Sequence, residues 1–121
     1  MKIKYAYLSL FCFIFLSFTI NTTAQINSDF FVDNGTCKCP DANFGDTGTV
    51  TINGQQKTFT KRNRTQLDAI IANDQQDPEI ALTCTSGIVD MSNLFQDQNN
   101  FNQDLSHWDV SNVTDMNRMF Y

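Results

Sequence analysis

The chain has 121 residues, 13 acidic against 8 basic, for a net charge of −5 at neutral pH. That length holds one modest domain. An acidic balance without a basic cluster excludes recognition of nucleic acid through its phosphates.

The N-terminus reads as an export signal. Lys2 and Lys4 precede an apolar run from Tyr5 to Phe18, and Thr22 and Ala24 are small enough for the −3 and −1 positions of a signal-peptidase site. Residues 1–24 are therefore expected to be a signal peptide. The apolar run is short of the ~20 residues that cross a bilayer, so no transmembrane span is expected after cleavage. Removal leaves 6 basic against 13 acidic residues, a net charge of −7. The remainder is about one-third apolar, lean beside the ~45–50% of ordinary globular domains. Three cysteines survive, Cys37, Cys39 and Cys84, so one is free or pairs outside the chain.

Residues 25–38 read as a linker or edge segment, with Phe30-Phe31-Val32 leading into Asp33-Asn34-Gly35, a turn sequence. Residues 39–85 read as a small folded unit. Val50 and Ile52 alternate with threonines up to Asn53-Gly54, and Lys57-Thr58-Phe59-Thr60 completes a hairpin with Val50, Ile52 and Phe59 on one face. Gly45 and Gly48 are expected as turn residues ahead of it. Thr65 to Asn73 predicts a short helix, with Thr65 as N-cap, Asn73 as C-cap and a stripe of Leu67, Ile70 and Ile71. That stripe is expected to dock on the hairpin face. Ile80 to Cys84 reads as a strand. A disulfide between Cys39 and Cys84 would close this unit from its first element to its last, and Cys37–Cys84 stands as the alternative. Closing the loop would stabilise by on the order of 4 kcal/mol.

Residues 86–121 carry an internal repeat. Ser-Gly-Ile-Val-Asp-Met-Ser-Asn-Leu-Phe (Ser86–Phe95) returns as Ser-Asn-Val-Thr-Asp-Met-Asn-Arg-Met-Phe (Ser111–Phe120), about 25 residues later. One unit is complete and the second has only begun. Ile88, Met91, Leu94, Phe95, Phe101, Leu105, Trp108, Val110, Val113, Met116, Met119 and Phe120 are the expected repeat core. Met91, Leu94 and Phe95 have helical spacing and Trp108 and Val110 strand spacing. Asp90, and Thr114 or Asp115, are the expected caps of the helical turns. The expected fold is thus α/β, a leucine-rich-repeat-like solenoid with a strand and a helical turn per repeat, behind a hairpin-and-helix cap.

The run from Phe101 to Phe120, with its Trp108-Asp109-Val110-Ser111 and Thr114-Asp115-Met116 segments, resembles the repeat of BspA-like leucine-rich-repeat bacterial surface proteins. Cys39–Cys84, through its hairpin, Arg64–Asp68 and Cys84–Ser86, resembles the cap that precedes such repeats in some Bacteroidetes-type proteins. The resemblance implies a secreted or surface-displayed, non-catalytic adhesion module with a protein or cell-surface ligand. It also implies many repeats, so the chain is expected to be the N-terminal fragment of a longer protein. The alternatives are a structural cell-envelope component without a specific ligand and, less favoured, a secreted enzyme.

Catalysis and metal have thin support in the residues. His107 is the only histidine, and acidic pairs are everywhere in so Asp-rich a chain. Asp41, Asn43 and Asp46 are spaced somewhat like calcium ligands, but the Gly and terminal Glu of an EF-hand loop are missing. Cys37 and Cys39 lack the spacing and partners of a zinc site. No catalytic residue, metal or cofactor is therefore expected.

Overall fold

The computed structural model describes residues 26–121, so the expected signal peptide lies outside the described residues. Tight turns build the first half. Strands β1 (Phe31–Asp33) and β2 (Thr36–Lys38) pair antiparallel with Asp33 opposite Thr36. Between them Asn34 and Gly35 take φ of 50° and 80°, the paired positive angles of a primed hairpin turn. Residues 25–38 thus contain a hairpin of their own.

The hairpin read from Asn53-Gly54 is present. Strands β3 (Thr47–Ile52) and β4 (Gln55–Lys61) meet with Ile52 opposite Gln55 around a two-residue turn, φ 52° and 77°. Val50, Ile52 and Phe59 are buried together, as the alternation required. Gly48 is not a turn residue. It sits inside β3, where a Cβ would lie 2.3 Å from the Phe30 ring, so only glycine admits that ring against the strand.

Helix α1 runs Arg64–Asn73, one residue ahead of the expected start. Asn63, not Thr65, caps it: its side chain accepts from the Gln66 N–H at 2.8 Å while Gln66 Oε1 accepts from the Asn63 N–H at 2.9 Å. That reciprocal pair satisfies two otherwise orphaned donors. Asp74 rather than Asn73 is the C-cap. The expected strand from Ile80 is mostly a second short helix, α2 (Pro78–Ala81), because Asp77 caps it and Pro78 fits its first turn. Only β5 (Thr83–Cys84) is extended, and it pairs parallel to β4 with Thr60 opposite Thr83.

Two apolar clusters result. Phe30, Cys37, Cys39, Ala42, Val50, Ile52, Phe59 and Cys84 form the first. Leu67, Ile71 and Ile80 form the second together with Ile88, Met91, Leu94, Phe95, Trp108 and Met119. The α1 stripe therefore docks on the repeat segment, not on the hairpin face as expected. The hairpin face is already filled by Phe30 and the cysteines, whereas Phe95 and Trp108 supply the larger apolar area. Cys39 and Cys84 form the disulfide, and Cys37 is free and buried.

A leucine-rich-repeat-like α/β solenoid is not what the described residues form. They form a two-stranded sheet, a three-stranded sheet and two helices, all before Thr85. From Thr85 to Tyr121 there are turns and one isolated parallel bridge, Asp90 to Asp115. The cause is local. Asp90, Asp104, Asp109 and Asp115 each accept the backbone N–H two residues on, at 2.8–3.1 Å. Those side chains close Asx turns, at Asp90 and Asp115 in place of the expected helix caps. Asn93, Asp97 and Arg118 take φ of 57°, 61° and 55°, which breaks both helix and strand.

Candidate functional site

The two copies of the repeated sequence lie side by side in the register their 25-residue spacing requires. The N–H groups of Met91, Asn93, Phe95 and Asp97 donate to the carbonyls of Asp115, Asn117, Met119 and Tyr121 at 2.8–2.9 Å. All four bonds run in one direction. At the near end of the seam the direction reverses, where the Thr114 N–H donates to the Val89 carbonyl at 2.8 Å. Asn93 and Arg118, twin positions, share the same left-handed backbone, so the two copies also share a conformation.

Burial differs sharply between twins. Met91 is 0% exposed and Met116 47%; Phe95 is 2% exposed and Phe120 66%. Thr85 is buried beneath the hydrogen bond it donates to the Asp109 carbonyl, while its twin Val110 is exposed. Val110, Met116 and Phe120 are thus not core, contrary to the sequence expectation. Their twins are buried because the second copy covers them, and no described residue covers the second copy. Phe120 stacks on Phe95 at 5.3 Å with 5° between the rings, leaving its other face free. The remaining residues are placed as expected: Ile88, Met91, Leu94, Phe95, Trp108 and Met119 are buried, and Phe101, Leu105 and Val113 pack partly buried against them. Trp108 Nε1 donates to the Ile80 carbonyl at 3.1 Å, which ties the loop to α2.

The side of the first copy facing away from the second is closed by Arg64. Its guanidinium donates to the carbonyls of Asp90 at 3.1 Å and Ser92 at 2.9 Å, the twins of the Asp115 and Asn117 carbonyls used in the seam. Arg64 Nε is held by Asp68 Oδ1 at 2.8 Å, one turn along α1. One planar side chain thus replaces two backbone donors, a fit that lysine's point charge would not reproduce. The Ser92 side chain and N–H, with Arg64, hold the Asp90 carboxyl below its usual range. Sequence reading singled out Arg64 only as part of the cap resemblance; no sequence signal pointed to its carbonyl partners. Beside it is a cleft of about 200 Å³ lined by Phe44, Asn63, Arg64, Gly87, Ile88, Val89 and Asp90.

The opposite side is open. The N–H groups of Met116, Arg118 and Phe120, twins of the donors at Met91, Asn93 and Phe95, have no acceptor among the described residues. Exposed Met116, Phe120 and Tyr121 flank them, with the Arg118 guanidinium over the Tyr121 ring at 5.5 Å.

The remaining polar groups are structural in geometry. Asp109 Oδ2 accepts from Ser86 Oγ at 2.6 Å, Asp109 Oδ1 accepts from Ser111 Oγ at 2.6 Å, and Ser86 Oγ also accepts the Cys39 N–H at 3.0 Å. Burial pushes the Asp109 carboxyl up, but its serine hydrogen bonds outweigh burial and leave it below the usual range. Burial, reinforced by the Asp109 charge, pushes the Cys37 thiol up to about 12, so it stays protonated and a poor nucleophile at neutral pH. His107 Nδ1 lies 2.9 Å from the Gly35 carbonyl and its ring meets Phe59 edge-on, an anchoring role for the first hairpin. In the loop that holds Asp41, Asn43 and Asp46, the buried Lys61 ammonium donates to the carbonyls of Pro40 and Ala42, so a cation already occupies it. Among the described residues no three His, Cys, Asp or Glu side chains converge as a metal site. No helix among them is long and apolar enough to cross a membrane.

The stretch that holds both edges is also the stretch that places the chain in a family. The family described as "Mycoplasma protein of unknown function, DUF285" matches residues 48–121, from β3 through α1 to the open edge. That is more than half of the chain, and the chain belongs to this family. No curated protein and no solved structure matches it.

Proposed function

We propose that this chain is a bacterial secreted or cell-surface module that binds protein and does no catalysis, as the BspA-like resemblance implies. The observation that carries this reading is the face of the second copy, where Met116, Phe120 and Tyr121 lie exposed among the described residues. Contiguous apolar surface of this kind on a folded chain marks an interaction site. Export rests on the N-terminal sequence, and the disulfide Cys39–Cys84 fits an oxidising compartment.

The test is display of the full chain on bacterial cells and measurement of attachment to surfaces coated with host extracellular protein. Wild-type cells should attach, and the double substitution Met116→Asp with Phe120→Asp should reduce attachment at least about tenfold. Both positions are exposed, so the fold should survive. Undiminished attachment of that variant, or failure of protease added outside intact cells to cleave the chain, would refute the reading.

A further inference from the structure

We infer that the first unit carries a thiol–disulfide switch, in which Cys37 displaces Cys39 from Cys84 when the hairpin β1–β2 lifts off His107. The switch lies within residues 31–107 and works whatever the protein binds.

Three cysteines share one buried site. Cys39 and Cys84 are bonded, and Cys37 is a free thiol in the same apolar cluster, with all three 0% exposed. Cys37 lies in β2 and Cys39 follows that strand directly. Residues two apart on an extended segment share a face, so both side chains point into the cluster that holds Cys84. Cys84 Sγ lies 3.6 Å from the Cys37 carbonyl oxygen. The exchange is self-contained. The Cys37 thiolate attacks Cys84 Sγ, the Cys37–Cys84 bond forms, the Cys39–Cys84 bond breaks, and Cys39 leaves as a thiolate that takes up the proton Cys37 lost. No outside oxidant or reductant is consumed.

The contact between the hairpin and the repeat loop holds the switch in its Cys39 form. The Cys37 N–H donates to the His107 carbonyl at 2.9 Å, and His107 Nδ1 lies 2.9 Å from the Gly35 carbonyl. The charged and titratable groups around the thiol are Asp109 and His107 of the repeat loop, Lys38 and Asp33 of its own hairpin, and Lys61 beside Cys84. Lys38 and Asp33 pair with each other at 3.0 Å, and the Pro40 and Ala42 carbonyls hold Lys61. Asp109 is thus the charge that acts on the thiol, and with burial it keeps Cys37 protonated and unreactive while the hairpin is seated. Lifting the hairpin admits water, removes the Asp109 charge and returns the thiol toward the ordinary value of about 8.5. Exchange then frees Cys39, whose N–H donates to Ser86 Oγ, itself a donor to Asp109, so the two forms differ where the first unit joins the repeat.

The test incubates the chain, purified after export, without oxidant or reductant, then quenches it with N-ethylmaleimide under acid denaturing conditions. Trypsin cuts after Lys38 and so separates Cys37 from Cys39 for mass spectrometry of the non-reduced peptides. At pH 6 the maleimide should sit on Cys37. From pH 6 to pH 8 the Cys37–Cys84 peptide should form about tenfold faster per unit, with the maleimide on Cys39, and the rate should level off above about pH 8.5. His107→Ala should speed its formation at least about tenfold by loosening the hairpin, and Cys37→Ser should leave Cys39–Cys84 as the single product. Asp33→Asn removes only the exposed ion pair of the hairpin and should speed exchange as well, which keeps the test decisive if His107→Ala fails to fold. Absence of the Cys37–Cys84 peptide while Trp108 fluorescence stays native would overturn the inference. A rate that keeps climbing past about pH 10 would overturn it too, since attack would then occur inside the seated core. So would a rate that neither His107→Ala nor Asp33→Asn changes.

Discussion

The two copies of one ten-residue pattern show what a sequence repeat does and does not specify. Asp90 and Asp115 close the same Asx turn, Asn93 and Arg118 take the same left-handed backbone, and Leu94 and Met119 are both buried. Yet Phe95 is core and Phe120 is surface. The difference lies in what sits against each copy. Arg64 and α1 close one side of the first copy and the second copy closes the other, while no described residue covers the far side of the second copy. Conformation in this segment is therefore local, and burial is decided by neighbours.

The sharpest way to break that comparison is at the aromatic pair. Phe95→Ala should cost about 3–5 kcal/mol, since it empties a site stacked against Phe101, Trp108 and Phe120. Phe120→Ala should cost less than about 1 kcal/mol. Urea unfolding followed by Trp108 fluorescence measures both, and equal losses would mean that the copies are energetically equivalent after all.

A smaller effect is expected at the edges. Arg64→Ala leaves the Asp90 and Ser92 carbonyls to water and should cost about 1–2 kcal/mol. Arg118→Ala on the open edge, where the side chain reaches only the Tyr121 ring, should change stability by less than about 0.5 kcal/mol. Arg64→Lys should recover only part of the loss, because an ammonium cannot span two carbonyls as the guanidinium does.

The smallest expected effect concerns pH at the serine–aspartate junction of the two copies. The Asp109 carboxyl is held below its usual range in the folded chain. Its contribution is therefore fully present above the unfolded value of about 4 and is lost as the pH falls from there through the folded value. Urea midpoints at pH 6 and pH 3 should fall further apart in the wild type than in Asp109→Asn. An identical pH response in the two would show that Asp109 is not a source of the acid sensitivity.

Much of the local structure was legible in residue order. Asn53-Gly54 gives its hairpin because few other dipeptides tolerate two positive φ angles at low cost. Leu67 and Ile71 were readable as one buried stripe from their spacing. The caps were misread by one or two positions, since Asn63 competes with Thr65 for the same role and wins through its reciprocal bond with Gln66. The helical spacing of Met91, Leu94 and Phe95 misled for a related reason: Asp90 and the left-handed Asn93 commit the chain to turns before a helix can propagate.

The sequence by itself determined the repeat and its register, the turn at each Asx position, the hairpin at Asn53-Gly54 and a set of cysteines in which Cys39 and Cys84 could close the first unit. Each follows from a residue and its near neighbours. Only the tertiary structure decided which surface α1 covers, that Arg64 stands in for two backbone donors, and that Val110, Met116 and Phe120 lie open while their twins are covered. Those outcomes depend on contacts between residues about 25 apart, where the same side chain is core or surface according to what packs on its other face.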